Sequence, residues 1–154
     1  SDWKLISYPT IPAGTADAFS VLTDAVAEQV LSVIHDAQAD EVVFLAKSLG
    51  TRALAGISQR IPRHLPARAI WLTPLFGAPE VRDLAAASGL RSLIIAGDAD
   101  PYHYRDGLDL VATTLDASTL IVAEADHSLE VPGDVHASIR ALTAITMAVI
   151  EFMG

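Results

Sequence analysis

Three residue types that together perform acyl transfer stand in separate polar turns of this chain: Ser48, a carboxylate at Asp98 or Asp100, and His127. A serine hydroxyl is a poor nucleophile until a base removes its proton. Histidine suits that task, and a carboxylate fixes the imidazole tautomer and stabilises the imidazolium. Ser48 lies in the stretch Glu41-Val-Val-Phe-Leu-Ala-Lys-Ser-Leu-Gly50. Val42 to Leu45 is an unbroken apolar run rich in β-formers, as in a strand buried on both faces, and a helical pattern begins at Thr51. A serine at such a strand-to-helix turn has the geometry of a nucleophile elbow. The usual pattern is G-x-S-x-G; here it is Ala46-x-Ser48-x-Gly50. Small residues flank the serine because the turn is tight and neighbouring backbones approach closely. The competing role for Ser48 is an N-cap of the following helix.

The elements that must hold these residues alternate along the chain. Trp3 to Tyr8 reads as a first strand, closed by Pro9 and the Pro-Ala-Gly turn. From about Asp17 the period becomes helical, with Phe19, Leu22, Val26, Val30 and Val33 at three- and four-residue spacing. The Val42 strand and the elbow follow, then a helix from Thr51 to about Arg60, ended by Pro62 and Pro66. Ala69 to Leu72 is the third strand, leaving through Thr73-Pro-Leu-Phe-Gly77, and a short helix spans Pro79 to Ala87. Ser92 to Ala96 is the fourth strand, leaving through Gly97-Asp-Ala-Asp-Pro101. A helix from about Tyr104 to Leu115 leads to a fifth strand, Thr119 to Ala123. After the loop Glu124 to Gly133, a last helix carries Val135, Ile139, Leu142, Ile145, Val149 and Phe152 on one face. Strict alternation of strands and helices predicts a single α/β domain over residues 1–154: a predominantly parallel, five-stranded sheet flanked by helices. Ligands of such sheets bind at the carboxyl ends of the strands, where all three candidate groups fall.

The chain order serine, acid, histidine is that of α/β-hydrolases and differs from the chymotrypsin and subtilisin orders. The stretches Ala46-Lys-Ser-Leu-Gly-Thr51, Trp71-Leu-Thr-Pro-Leu75, Gly97-Asp-Ala-Asp-Pro101 and Ala125-Asp-His-Ser-Leu-Glu-Val-Pro-Gly133 resemble the small bacterial serine hydrolases of the α/β-hydrolase superfamily. The resemblance runs from the first strand to the last helix. It implies Ser48 as nucleophile, Asp100 as acid and His127 as base, with the backbone N–H of Leu49 as an oxyanion donor. It selects Asp100 over Asp98 because the superfamily's acid sits three residues after the glycine that ends its strand. Asp98 is then a turn residue. The implied substrate is a small-molecule carboxylic ester or thioester. Trp71, Pro74, Leu75 and Phe76 are candidates for the apolar side of its cleft, or else ordinary core at a strand end. Lys47 reads as a solvated neighbour of the nucleophile.

Other chemistries find little support. His35 suits a helix C-terminus, His64 a proline-rich loop, and His136 the start of the last helix, while His103 is a weak rival base too near its acid in sequence. No two histidines have ligand-like spacing, so no metal site is expected. No G-x-G-x-x-G or P-loop pattern is present, so no cofactor is expected either. A net charge of −9 with ten scattered basic residues argues against nucleic acid or an anionic membrane as partner. No uninterrupted apolar run approaches the roughly 18 residues of a bilayer span. Zero cysteines exclude thiolate catalysis and fit a cytoplasmic protein.

Against the family pattern, no apolar strand followed by a glycine-containing oxyanion turn and a helix is read ahead of Ser48, and an N-terminally incomplete domain is the expectation. That absence predicts an open edge beside the Val42 strand and, by right-handed crossovers, all inter-strand helices on one face with only the last helix on the other. A bare sheet face would call for a missing N-terminal segment or a homo-oligomer to cover it. The same departure keeps two alternatives open, a non-catalytic binding or regulatory protein and an inactive fragment on this fold.

Overall fold

The computed structural model of the protein describes residues 4–7, 18–37 and 39–154. Four strands, β1 (Val42–Lys47), β2 (Ala67–Leu72), β3 (Arg91–Gly97) and β4 (Ser118–Val122), form one fully parallel sheet in the order β1-β2-β3-β4. Five helices accompany them: α1 (Ala18–Ala37), α2 (Leu49–Ser58), α3 (Pro79–Ala86), α4 (Arg105–Leu115) and α5 (Val135–Met153). This is the α/β architecture expected from the alternation, with one strand fewer among the described residues. Lys4 to Ser7 adopt no strand, and Leu5 is almost wholly exposed. Trp3, Tyr8, the Pro9 turn and the side chains of Phe19 and Leu22 lie outside the described residues. Local sequence alone does not make Lys4 to Ser7 a strand, because β-propensity reports packing against neighbours rather than a backbone preference.

Period-two alternation along the strands divides the core in two. Ala46, Ala69, Trp71, Ile94 and Ala96 point to one face and meet Ala27 and Val30 of α1, Leu54 and Ile57 of α2, Val81 and Ala85 of α3, and Leu108 and Val111 of α4. Ile70, Leu93, Ile95 and Val122 point to the other and meet Ala141, Ile145, Val149 and Phe152 of α5. The three crossover helices α2, α3 and α4 therefore share one face, as right-handed crossovers require, and α1 packs there with them. Each large side chain buried this way contributes roughly 1.5–3 kcal/mol.

Local chemistry sets the helix ends. Pro79 opens α3, where the missing N–H costs nothing. Asp116 ends α4 in the left-handed region at φ 50°. The Asp134 side chain accepts from the Ala137 N–H at 2.8 Å to cap α5. At the far end of α5, Arg68 donates to the carbonyls of Phe152 and Met153 at 2.9 and 3.1 Å, pinning the helix to the foot of β2.

The apolar face of α5 is only partly covered. Ile145, Val149 and Phe152 face the sheet, but Val135, Ile139 and Leu142 are exposed, along with Met147 and Ile150. The helix is apolar around most of its circumference, and by length and composition alone it is long and apolar enough to cross a membrane. Here it lies along the sheet. Among the described residues, β1 has no strand on its outer side, and Leu45 there is half exposed.

Candidate active site

The site is assembled at the carboxyl ends of β1, β3 and β4. β1 runs into α2 through Ser48, whose backbone has φ 51° and ψ −115°. A non-glycine residue in that region stores strain of about 1–3 kcal/mol, which surrounding contacts must offset. Two contacts are close at hand. The Ser48 N–H donates to Leu72 O at 3.0 Å, extending the ladder to β2, and Ser48 O accepts from the Thr51 N–H at 2.9 Å. The Ser48 hydroxyl caps no helix N–H, which removes the N-cap role. It faces the histidine instead.

Asp100 is 6% exposed and sits in the turn after β3. One carboxylate oxygen accepts from the Tyr102 N–H at 2.8 Å, and the other lies 2.8 Å from His127 Nδ1. His127 Nε2 lies 2.7 Å from Ser48 Oγ. A carboxylate can only accept, so Nδ1–H donates to Asp100 and Nε2 is left to accept from the Ser48 hydroxyl. The structure thus brings Ser48, His127 and Asp100 into one hydrogen-bonded line. Tyr102 meets the imidazole edge to face, with ring centroids 5.1 Å apart.

Two loops hold that line. Asp98 points away from the imidazole and accepts from the Glu124 N–H at 2.6 Å, while Ala99 N–H donates to Ala125 O at 3.1 Å. Gly97 is required between them, since a Cβ there would overlap the Ala125 carbonyl. Within the histidine loop, the Asp126 side chain accepts from the Ser128 N–H at 2.8 Å and the Leu129 N–H donates to Asp126 O at 2.9 Å. This Asx turn fixes the backbone on both sides of His127.

The four pocket candidates separate. Trp71 is fully buried within β2, donates from Nε1 to Ser92 Oγ at 3.0 Å, and packs on Phe76 with ring centroids 5.7 Å apart. Both belong to the core beneath the helices. Pro74 is buried and, with Phe76, lines a narrow crevice behind Asp100 together with Thr73, His103 and Tyr104. Leu75 alone of the four is partly exposed. Lys47 is exposed, as are His35, His64 and His136. His103 donates its backbone N–H to Asp100 O at 2.9 Å, and its Nδ1 has no partner. No cluster of side chains able to hold a metal ion occurs among the described residues.

Two residues at the site escaped sequence reasoning. Thr51 is fully buried; its hydroxyl donates to Ser48 O at 2.6 Å and accepts from the Leu75 N–H at 3.2 Å. A Ser or Thr three residues after the elbow serine was the available signal, but its partners are backbone groups with no mark in the sequence. Tyr102 was visible only as a residue after Pro101.

No protein-family model matches the chain, and no curated protein matches it. Solved structures do. One, named as a YdeN-like hydrolase from Pectobacterium atrosepticum, aligns over 82% of this chain and 70% of its own, with TM-score 0.57 and 16% identity. Another, named as a hydrolase from Agrobacterium vitis, aligns over 92% of this chain and 74% of its own, with TM-score 0.62 and 13% identity. The likeness is one of fold: this chain has an α/β fold of the hydrolase type.

Proposed function

We propose that the protein is a serine hydrolase of carboxylic esters or thioesters that works through an acyl-enzyme. The observation carrying this reading is the continuous Ser48–His127–Asp100 hydrogen-bonded line at 2.7 and 2.8 Å. His127 Nε2 takes the Ser48 proton as Oγ bonds to the acyl carbon, and the carbonyl electrons move onto oxygen. Asp100 stabilises the resulting imidazolium and holds its orientation. The Leu49 N–H, in the first turn of α2 where no intrahelical acceptor exists, donates to that oxyanion. Collapse of the intermediate expels the alcohol or thiol, which leaves with the proton from His127. Water then gives a proton to Nε2 and attacks the acyl-serine, and collapse releases the acid and restores Ser48. Tyr102, exposed and against the imidazole, would flank the acyl group, and Leu75, partly exposed on the loop whose backbone N–H meets Thr51, is the pocket candidate that remains.

Turnover of short-chain p-nitrophenyl esters and their thioester counterparts tests the reading. Ser48→Ala abolishes turnover and leaves the melting temperature nearly unchanged. Undiminished turnover by Ser48→Ala would contradict the reading.

A further inference from the structure

We infer that Thr51 is a positioning residue that aims the oxyanion donor and couples it to the loop after β2. The inference rests on the serine hydrolase reading above and adds a residue to it. The peptide joining Ser48 to Leu49 is trans, as are all peptide bonds described, so its carbonyl and its N–H point in opposite directions. Whatever fixes the Ser48 carbonyl therefore fixes the direction of the Leu49 N–H. That carbonyl accepts two hydrogen bonds from one residue, from the Thr51 N–H at 2.9 Å and from Thr51 Oγ1 at 2.6 Å. The first is an ordinary turn contact that any residue would supply. The second needs a hydroxyl at this position.

The hydroxyl has a single proton, and its direction is dictated from the other side. The Leu75 N–H donates to Thr51 Oγ1 at 3.2 Å, occupying an oxygen lone pair and leaving the proton for Ser48 O. Thr51 is fully buried, so water does not compete for either bond. The result is a one-way chain: Leu75 N–H to Thr51 O–H to Ser48 C=O, and through the peptide to Leu49 N–H. Each donor in such a chain polarises the next, strengthening it by roughly 10–30% per bond. As negative charge develops on the acyl oxygen, the Leu49 N–H meets it already oriented and polarised. The Thr51 hydroxyl also restrains the peptide that follows the strained Ser48, and the Leu75 bond ties the loop after β2 to the elbow.

Thr51→Val keeps the shape and deletes the hydroxyl; Thr51→Ser keeps the hydroxyl. The readouts are binding of a trifluoromethyl ketone, which Ser48 would attack to give a stable oxyanion, and the kinetics of the matching ester. Thr51→Val is expected to weaken ketone binding and lower kcat in parallel, each by roughly ten- to hundredfold, because the oxyanion donor is misdirected rather than removed. KM stays within about twofold, since the ground-state ester leans little on that donor. Thr51→Ser restores both values to near wild type. If the valine variant does not fold, Thr51→Ala is measured in the same way. Wild-type ketone affinity in Thr51→Val or Thr51→Ala overturns the inference. So does a loss that Thr51→Ser fails to rescue, which marks a packing role. A wild type that neither hydrolyses ester nor binds the ketone sinks the hydrolase reading, and this inference with it. An active wild type indifferent to Thr51→Val sinks this inference alone.

Discussion

The side chain of Asp98 accepts the backbone N–H of Glu124 at 2.6 Å, fastening the loop that carries Asp100 to the loop that carries His127. Two carboxylates lie two residues apart in one turn, yet they have separate tasks. The Asp98 side chain holds the Glu124 backbone, and Asp100 holds the imidazole. Glu124 needs the anchor because its φ of 60° lies in the left-handed region, which a non-glycine residue adopts at a cost.

Substitution separates those tasks. Asp100→Asn should lower kcat by about four orders of magnitude, because an amide no longer enforces the productive tautomer. Asp98→Ala should cost about 1 kcal/mol of stability with a smaller loss of rate, as the two loops lose one tie. Parallel thermal melts and ester kinetics on both variants check the division. Equal kinetic losses in the two would contradict it.

Gly97 should tolerate no side chain. Gly97→Ala drives a methyl into the Ala125 carbonyl, and overpacking of this kind costs about 1–3 kcal/mol. The loop holding His127 must move to relieve it, so activity should fall further than stability alone predicts. Denaturant unfolding and kcat on the one variant read both effects.

Much of this was legible in the chain itself. The strands from Val42 onward announced themselves as short apolar runs between polar turns, and Ser48, His127 and a carboxylate at Asp98 or Asp100 stood out by their places on the turns, with the choice of Asp100 resting on the family resemblance. Trp71 was left open between cleft and core: counted with Ala69 on the two-residue period of β2, it packs under α1 to α4 as core at the strand end. α5 was legible as a helix with one apolar face, but periodicity marks a face and not which part of it is covered. Val135, Ile139 and Leu142 share that broad face with Ile145, Val149 and Phe152, yet only the latter three pack against the sheet. Thr51 was invisible for another reason. Its partners are a carbonyl and an N–H, whose positions exist only once β1, β2 and α2 have packed.

The partial burial of α5 has its own test. Phe152 is buried, with the Arg91 guanidinium 5.3 Å from its ring centre, so Phe152→Ala should cost about 3–5 kcal/mol. Leu142 is 63% exposed, and Leu142→Ala should change stability by no more than about 0.5 kcal/mol. Urea titrations of both variants compare them directly. A Leu142→Ala loss rivalling that of Phe152→Ala would mean that the exposed stripe is covered in solution.

Trp71 should behave as core. Trp71→Phe removes the indole N–H and leaves the Ser92 hydroxyl without its donor, so stability should fall by about 1–3 kcal/mol. KM for short esters should not move. A changed acyl-chain preference with unchanged stability would return Trp71 to the cleft.

The most direct measurement of the central claim is covalent labelling by a fluorophosphonate, followed by intact-mass and peptide analysis. Phosphonylation requires an activated serine and its base together, whatever the natural acyl group. The account predicts one adduct per chain, located on Ser48, and none in Ser48→Ala or His127→Ala. A folded wild-type protein that remains unlabelled, or that labels at a serine other than Ser48, would contradict it.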